Sequence, residues 1–314
     1  MLSIVYSSRK IYISTHNFKT MDARKIQLVG NRSFALSLPK DWVTNNKLKN
    51  KDSLFIEQTE NNELIIRKSD FTSSEKKEII INIDEINNIN EFIVFCYVRN
   101  VNKIKILTKK SDYEKIIAIR KILGYLEGYD ITHEDEKAIE ISFLFNDINI
   151  NLNHIMHRMV YLLKFMTTSL INQDTKNIED TEKSIDKLYH LSKRILFACM
   201  NSQKLRTENN IKNREELFFL KDIVKKIESI GDTIYSMREM KITQKDHDSI
   251  NEIINILESM LDKKKIDEAK TQLSQLKIVT KDKEVDHKIH RIQELCKDAM
   301  ENFMSIKFNN TYFS

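Results

Sequence analysis

From residue 146 onward, apolar side chains recur at alternating steps of four and three, and no other feature of the sequence limits the fold so sharply. Ile148, Leu152, Ile155, Met159, Leu162 and Met166 form one series, and Ile178, Thr181, Ile185, Leu188, Ser192 and Ile195 a second. Leu220, Val224, Ile227, Gly231 and Ile234 form a third, and Ile289, Ile292, Cys296, Ala299 and Phe303 a fourth. A 3.6-residue period puts each series on one helix face, and such stripes bury against one another as a bundle. Two shorter helices, roughly 247–262 and 266–277, complete an expected set of six.

One of these stripes contains a glycine, in "KKIESIGDTIYSM" at 225–237, the sole glycine after Gly128 in a chain with only 4. A glycine inside a helix costs about 1 kcal/mol relative to alanine, so a gain elsewhere is expected to offset it. Gly231 is flanked by Glu228 and Asp232, spaced i and i+4, and the preceding long stripe carries Glu182 and Asp186 at the same spacing. In both helices each acid follows a seam position by one residue: Glu182 after Thr181, Asp186 after Ile185, Glu228 after Ile227 and Asp232 after Gly231. Packing the two seams together brings four carboxylates to one edge, with the missing side chain of Gly231 admitting a close neighbour. Such a set is hard oxygen ligation for a divalent or trivalent metal, with like-charge repulsion as the cost in its absence. Taken singly, each pair also reads as a solvated face. A third pair, Glu294 and Asp298, lies at a different phase on the last stripe, and His190 continues the Glu182–Asp186 ridge as a possible added ligand. His154-x-x-His157 and His287-x-x-His290 lack a placed partner.

Upstream, 76–143 alternates strands and helices: "KEIIINI", "KIKILT" and "AIEISFLF" as strands, "INEFIVFCYVR" and "SDYEKIIAIRKILGYLEG" as helices, the second bracketed at its end by Gly124 and Gly128. No nucleophile, base or ligand set gathers there, and it reads as an α/β connecting unit. Residues 24–68 read strand, strand, short helix, strand, strand: "RKIQLV", "SFALSL", a helical turn opened by Pro39 in "PKDWVTNN", then "DSLFIEQ" and "ELIIRK" about the turn "TENN". So small a unit can hardly enclose a core alone, which predicts a shared, dimeric one. Residues 1–70 hold 12 Lys/Arg against 7 Asp/Glu, while the remainder is balanced. A locally basic first domain on a neutral body points to nucleic acid or another anionic partner.

Cys96, Cys199 and Cys296 are scattered and odd in number, which argues against a disulfide framework or a zinc ribbon and suits a cytoplasmic setting. The longest apolar run, "FIVFCYV" at 92–98, is far below the ~20 residues of a membrane helix, so no membrane insertion is expected. Residues 1–20 make a poor signal peptide and read as an N-terminal extension or a misassigned start, with Met21 following.

"IEDTEKSIDKLYHLSKRIL" and "IVKKIESIGDTIYSM" resemble the two signature helices of the PhoU phosphate-uptake-regulator family, and "IHRIQELCKDAMENFMSIKFNN" resembles its closing helix. "RKIQLVGNRSFALSLPKDWV" with "LKNKDSLFIEQTENNELII" is similar to an AbrB-like swapped-hairpin DNA-binding domain, and the pairing resembles archaeal phosphate-uptake regulators. The resemblance implies a multidomain fold: an AbrB-like β domain over 21–70 that dimerises, a small α/β connector over 71–145, and an all-α PhoU-type domain of two three-helix bundles over 146–310. It implies a multinuclear metal cluster, of Fe, Zn, Mn or Mg, on Glu182, Asp186, Glu228, Asp232, Glu294 and Asp298. It further implies DNA contacts from Arg24, Lys25 and Arg32, with Lys40 and Lys47 secondary. The expected function is metal-binding regulation of phosphate uptake through DNA, without catalysis. The alternative is a non-DNA-binding adaptor that docks on a phosphate ABC transporter ATPase or a sensor kinase. A ferritin-like di-iron enzyme is disfavoured, because that site needs two Glu-x-x-His motifs and only Glu284-x-x-His287 is found.

Overall fold

Alternating side chains in the N-terminal segment pair as expected. In the computed structural model, which describes residues 23–30, 33–58, 64–68, 78–109, 113–145, 151–276, 278, 280 and 282–312, β1 (Gln27–Val29) runs antiparallel to β2 (Ser33–Ala35), with Leu28 opposite Phe34. The 1–20 extension and Arg32 lie outside the described residues. Pro39 fixes the entry to α1 (Lys40–Asn45), where the Val43 N–H donates to the Pro39 carbonyl at 3.1 Å. The helix ends on Lys47 at φ 52, which lets the Leu48 N–H reach back to the Val43 carbonyl. β3 (Phe55–Gln58) and β4 (Leu64–Arg67) then form a second antiparallel pair, Ile56 opposite Ile66.

The chain divides into two compact units between Asp70 and Phe71, and each is described by itself. Among the described residues of the first unit none is buried. Ile26, Leu28, Val29, Phe34, Leu36, Phe55, Ile56 and Leu64 are all 46–69% exposed.

The larger unit opens with β5 (Glu78–Asn82), α2 (Ile89–Val98) and β6 (Lys103–Leu107), a crossover that sets β6 parallel to β5. The Asn88 side chain caps α2 by accepting from the Glu91 N–H. After α3 (Tyr113–Leu123) come β7 (Tyr129–Glu134) and β8 (Ala138–Phe143), and the sheet order is β5-β6-β8-β7. One face buries Ile104, Ile106, Ile139 and Ile141 with Ile93, Cys96 and Tyr97 of α2 and Ile119 of α3. The other carries Lys103 and Lys105, both paired with Glu140 at 2.8 and 2.9 Å, the division expected of an antiparallel-edged sheet with one wet face. β7 is absent from the sequence-based expectation, because as an edge strand it buries Tyr129 alone and shows no apolar alternation. Gly128, at φ +84, precedes it; a Cβ there would sit 2.7 Å from the rings of Phe143 and Phe145.

The rest is helical: α4 (Leu152–Ile171), α5 (Thr175–Asn201), α6 (Gln203–Glu208), α7 (Glu216–Ser236), α8 (Gln244–Met260), α9 (Ile266–Gln275) and α10 (Lys283–Tyr312). α7 packs against α4, α5 and α10, while α8 packs against α4, α9 and α10. Every buried apolar residue of the four expected stripes that is described here enters one core. α6 makes the helices from Leu152 onward seven among the described residues, not the expected six. At six residues it is too short to show a stripe; Ser202 caps it, and its buried Arg206 donates to the Cys199 carbonyl at 2.8 Å. Thr243 and Asp246 form a reciprocal capping box at the start of α8.

Candidate metal centre and N-terminal basic residues

Gly231 is where α5 and α7 approach. It is buried, and a Cβ on it would meet Ile185 Cδ1 at 3.3 Å and Leu163 Cδ2 at 3.5 Å. The closeness sets the next residue round each helix, Asp186 and Asp232, beside one another across the seam. One carboxylate oxygen from each of Glu182, Asp186 and Asp232 lies within 4.8 Å of the others.

Glu228 stands next to this group but is turned to its own helix. Lys225 Nζ donates to both of its carboxylate oxygens, at 2.7 and 2.5 Å, and Ser229 Oγ donates to one at 3.2 Å. Three of the four carboxylates expected at this edge therefore converge, and the fourth is held by a lysine one turn away. The third pair does not join them. Glu294 is exposed on α10 with the Arg291 guanidinium 3.4 Å away. Asp298 accepts from Lys226 Nζ at 2.7 Å. The cause is the helix order: α10 lies against a different side of α7, the side that carries Lys226. His190 is outside the group as well.

The electrostatics are those of an uncompensated acid cluster. Burial, reinforced by Glu182 and Glu228, pushes the Asp186 carboxyl up to about 7. Burial and then Glu228 push Asp232 up to about 6. Burial likewise raises Glu182, and a hydrogen bond with Asp186 opposes that rise, so the two share a proton. Burial pushes the His190 imidazole down to about 4, with Lys193 and Lys225 adding to the effect. The donor set fits a hard cation: three carboxylates from two helices, half-buried or exposed, with repulsion that a positive charge would relieve. With no thiolate and no imidazole in it, the set is less suited to zinc.

In the N-terminal unit, Arg24, Lys25, Lys40 and Lys47 are all exposed. Arg24 Nη1 donates to Ser37 Oγ at 3.3 Å, joining the segment before β1 to the one after β2.

Sequence reasoning passed over Arg194. It is 1% exposed, with its guanidinium carbon 3.8 Å from the ring centroid of Phe143, 5.0 Å from that of Tyr97 and 5.6 Å from that of Tyr129. It donates to the Tyr97 carbonyl at 2.5 Å, while Asn100 Nδ2 donates to the Arg194 carbonyl at 3.1 Å. This one side chain ties α5, which bears Glu182 and Asp186, to the sheet. The signal was a charged residue flanked by seam positions Ser192 and Ile195, which the seam alone does not distinguish from a solvated one.

Residues 27–73 match the family described as antidote-toxin recognition MazE, bacterial antitoxin. No curated protein and no solved structure matches the chain. No helix among the described residues is long and apolar enough to cross a membrane. The match takes in the N-terminal unit from residue 27 onward and supports an AbrB/MazE-like domain there, of a type that binds DNA and dimerises.

Proposed function

We propose that this chain is a dimeric DNA-binding regulator of phosphate uptake, similar to the PhoU family, in which a cation held by the helical body conditions the N-terminal reader. The observation that carries the reading is the union in one chain of a MazE-like segment and a three-carboxylate cluster spanning two packed helices. Eight exposed large apolar side chains on a unit with no buried residue among the described ones support the dimer, because a second copy is the simplest cover for them. Interlocked hairpins of the AbrB kind are the arrangement we favour.

On DNA, Arg24, Lys25, Arg32, Lys40 and Lys47 would contact phosphates, which fix position and make affinity fall with salt. In the helical body, Glu182, Asp186 and Asp232 would hold the cation, which supplies the positive charge that offsets their repulsion. Glu228 keeps the neighbouring Lys225 neutralised, and Gly231 keeps α5 and α7 close enough for the acids to share a ligand. α5 continues from these acids to Arg194, so a shift of that helix is felt by the sheet. The reading assigns the chain no catalysis of its own and a cytoplasmic site of action.

A second reading remains in play because the match stops at residue 73. There the N-terminal unit serves only to dimerise, and the body docks on a transporter ATPase or a sensor kinase. Gel shifts of the intact protein across a salt series separate the two. DNA binding whose log affinity falls with log salt, with a shallower slope after Arg24→Ala and Lys25→Ala, supports the regulator. A slope near zero, or no binding to any DNA, favours the adaptor.

A further inference from the structure

The four-stranded sheet has two edges, and they are built differently. At one edge, β7 carries Asp130, His133 and Glu134 and shifts register between Ile131 and His133, so charges and a bulge guard it against a further strand. At the other, β5 reads EIIIN, with an unbroken register, no proline and a charge only at Glu78. Among the described residues no strand lies beyond it. An apolar strand that presents a row of backbone N–H and C=O groups is a template for another strand.

Its side chains lack cover on both faces. On the core face Ile79 and Ile81 stand opposite Ile104 and Ile106 of β6, yet they are half-buried where those two are fully buried. On the wet face Ile80 is 64% exposed beside Lys105, which is paired with Glu140. Pairing β5 with itself answers both. Run antiparallel about Ile80, the strand sets Ile80 against the partner's Ile80, Ile79 against the partner's Ile81 and Glu78 against the partner's Asn82. All three isoleucines then meet isoleucines across the pair, each on its own face. The end pair matches as well: Asn82, whose Oδ1 accepts from the Asp84 N–H at 3.3 Å, has an amide nitrogen to donate to the carboxylate.

We propose that the free edge of β5 is an interface with a second copy of this chain, which joins two sheets antiparallel into one of eight strands. Each α5, tied to its own sheet by Arg194, is thereby coupled to the other copy. The inference rests on the dimeric reading above, because a five-residue strand pair falls far short of the about 1,600 Å² of a standard interface. β5 begins at Glu78, shortly after β4 ends at Arg67, so a dimer through the N-terminal unit tethers one β5 to the other at an effective concentration of about millimolar.

The test is oxidative cross-linking of full-length Ile80→Cys, read on a non-reducing gel, with sedimentation of the parent alongside. The native cysteines are all buried and give little background. Two controls are exposed: Glu78→Cys on the same strand and Asp130→Cys on β7. In this register the partner's position 78 lies roughly 13 Å further along the strands, too far for a disulfide, whereas the two copies of position 80 are directly opposed. At least about tenfold more reducible dimer from Ile80→Cys than from either control is expected, together with slow amide exchange over 78–82 that Ile80→Lys accelerates. Circular dichroism establishes that each variant is folded. A parent that sediments as a dimer while Ile80→Cys cross-links no better than the controls overturns this pairing and leaves the dimer standing; a monomeric parent overturns both. Slow exchange over 78–82 without the cross-link shows that another segment covers the edge, which also overturns the proposal.

Discussion

Replacing Asp186 by asparagine should stabilise the metal-free protein at alkaline pH, the reverse of the usual effect of removing a charged group from a packed helix. In the folded chain its carboxyl is pushed from 3.8 to about 7, first by burial and then by Glu182 and Glu228. An acid whose folded pKa is raised binds its proton more tightly when folded, so stability is greatest below the unfolded value and declines as pH rises through the folded one. At about 1.36 kcal/mol per unit, a shift of roughly three units corresponds to about 4 kcal/mol. Partial exposure to solvent and the proton shared with Glu182 reduce this to about 2 kcal/mol. For a body of this size that is a gain of about 5 °C in Tm. Thermal melts followed by circular dichroism at 222 nm, with chelator and at pH 8, measure it. The gain should shrink through the window from about pH 7 to about pH 4 and vanish below. A variant that melts lower than the parent at pH 8, or whose gain is the same at pH 4, would refute the reasoning.

At Gly231, alanine recovers helix propensity of about 1 kcal/mol but must displace Ile185 Cδ1, 3.3 Å away, by a few tenths of an ångström. Gly231→Ala should therefore melt within about 1 kcal/mol of the parent, whereas Gly231→Leu, which cannot fit against Ile185 and Leu163, should cost about 3 kcal/mol or more in chemical denaturation. Removing the buried guanidinium in Arg194→Ala leaves the Tyr97 carbonyl and the ring cluster of Tyr97, Tyr129 and Phe143 without their partner; a loss of about 3 kcal/mol is expected in the same assay. In the first unit, where Phe34 and Ile56 are exposed, the proposed dimer predicts that Phe34→Asp with Ile56→Asp converts it to monomer in sedimentation and abolishes DNA binding with it.

The helical body was legible because its stripes are long. Ile178 to Ile195 and Leu220 to Ile234 repeat often enough that the period, the facing seams and the position of the acids all follow from one pattern. Gly231 could be read as a point of close approach for the same reason, and the atoms it would strike are those of the adjacent seam residue, Ile185. Short elements carry too few periods to read: α6 and the edge strand β7 were both passed over. Phase alone also did not fix where each acid points. Glu228 is drawn aside by Lys225, a contact three residues away that the sequence does contain. Asp298 is taken by Lys226 across 72 residues, a pairing set by how α10 lies on α7 and visible only in three dimensions. Arg194 is the extreme case, since its aromatic cage is assembled from α2, β7 and β8.

The most direct measurement is metal content. Untagged protein, stripped with chelator and dialysed in turn against Mg, Mn, Fe and Zn, is analysed by inductively coupled plasma spectrometry alongside Asp186→Asn and Asp232→Asn. Retention of a hard cation at one or more equivalents by the parent, with both variants near zero, is the predicted outcome. Equal metal in all three proteins would contradict the assignment of Glu182, Asp186 and Asp232 as its ligands.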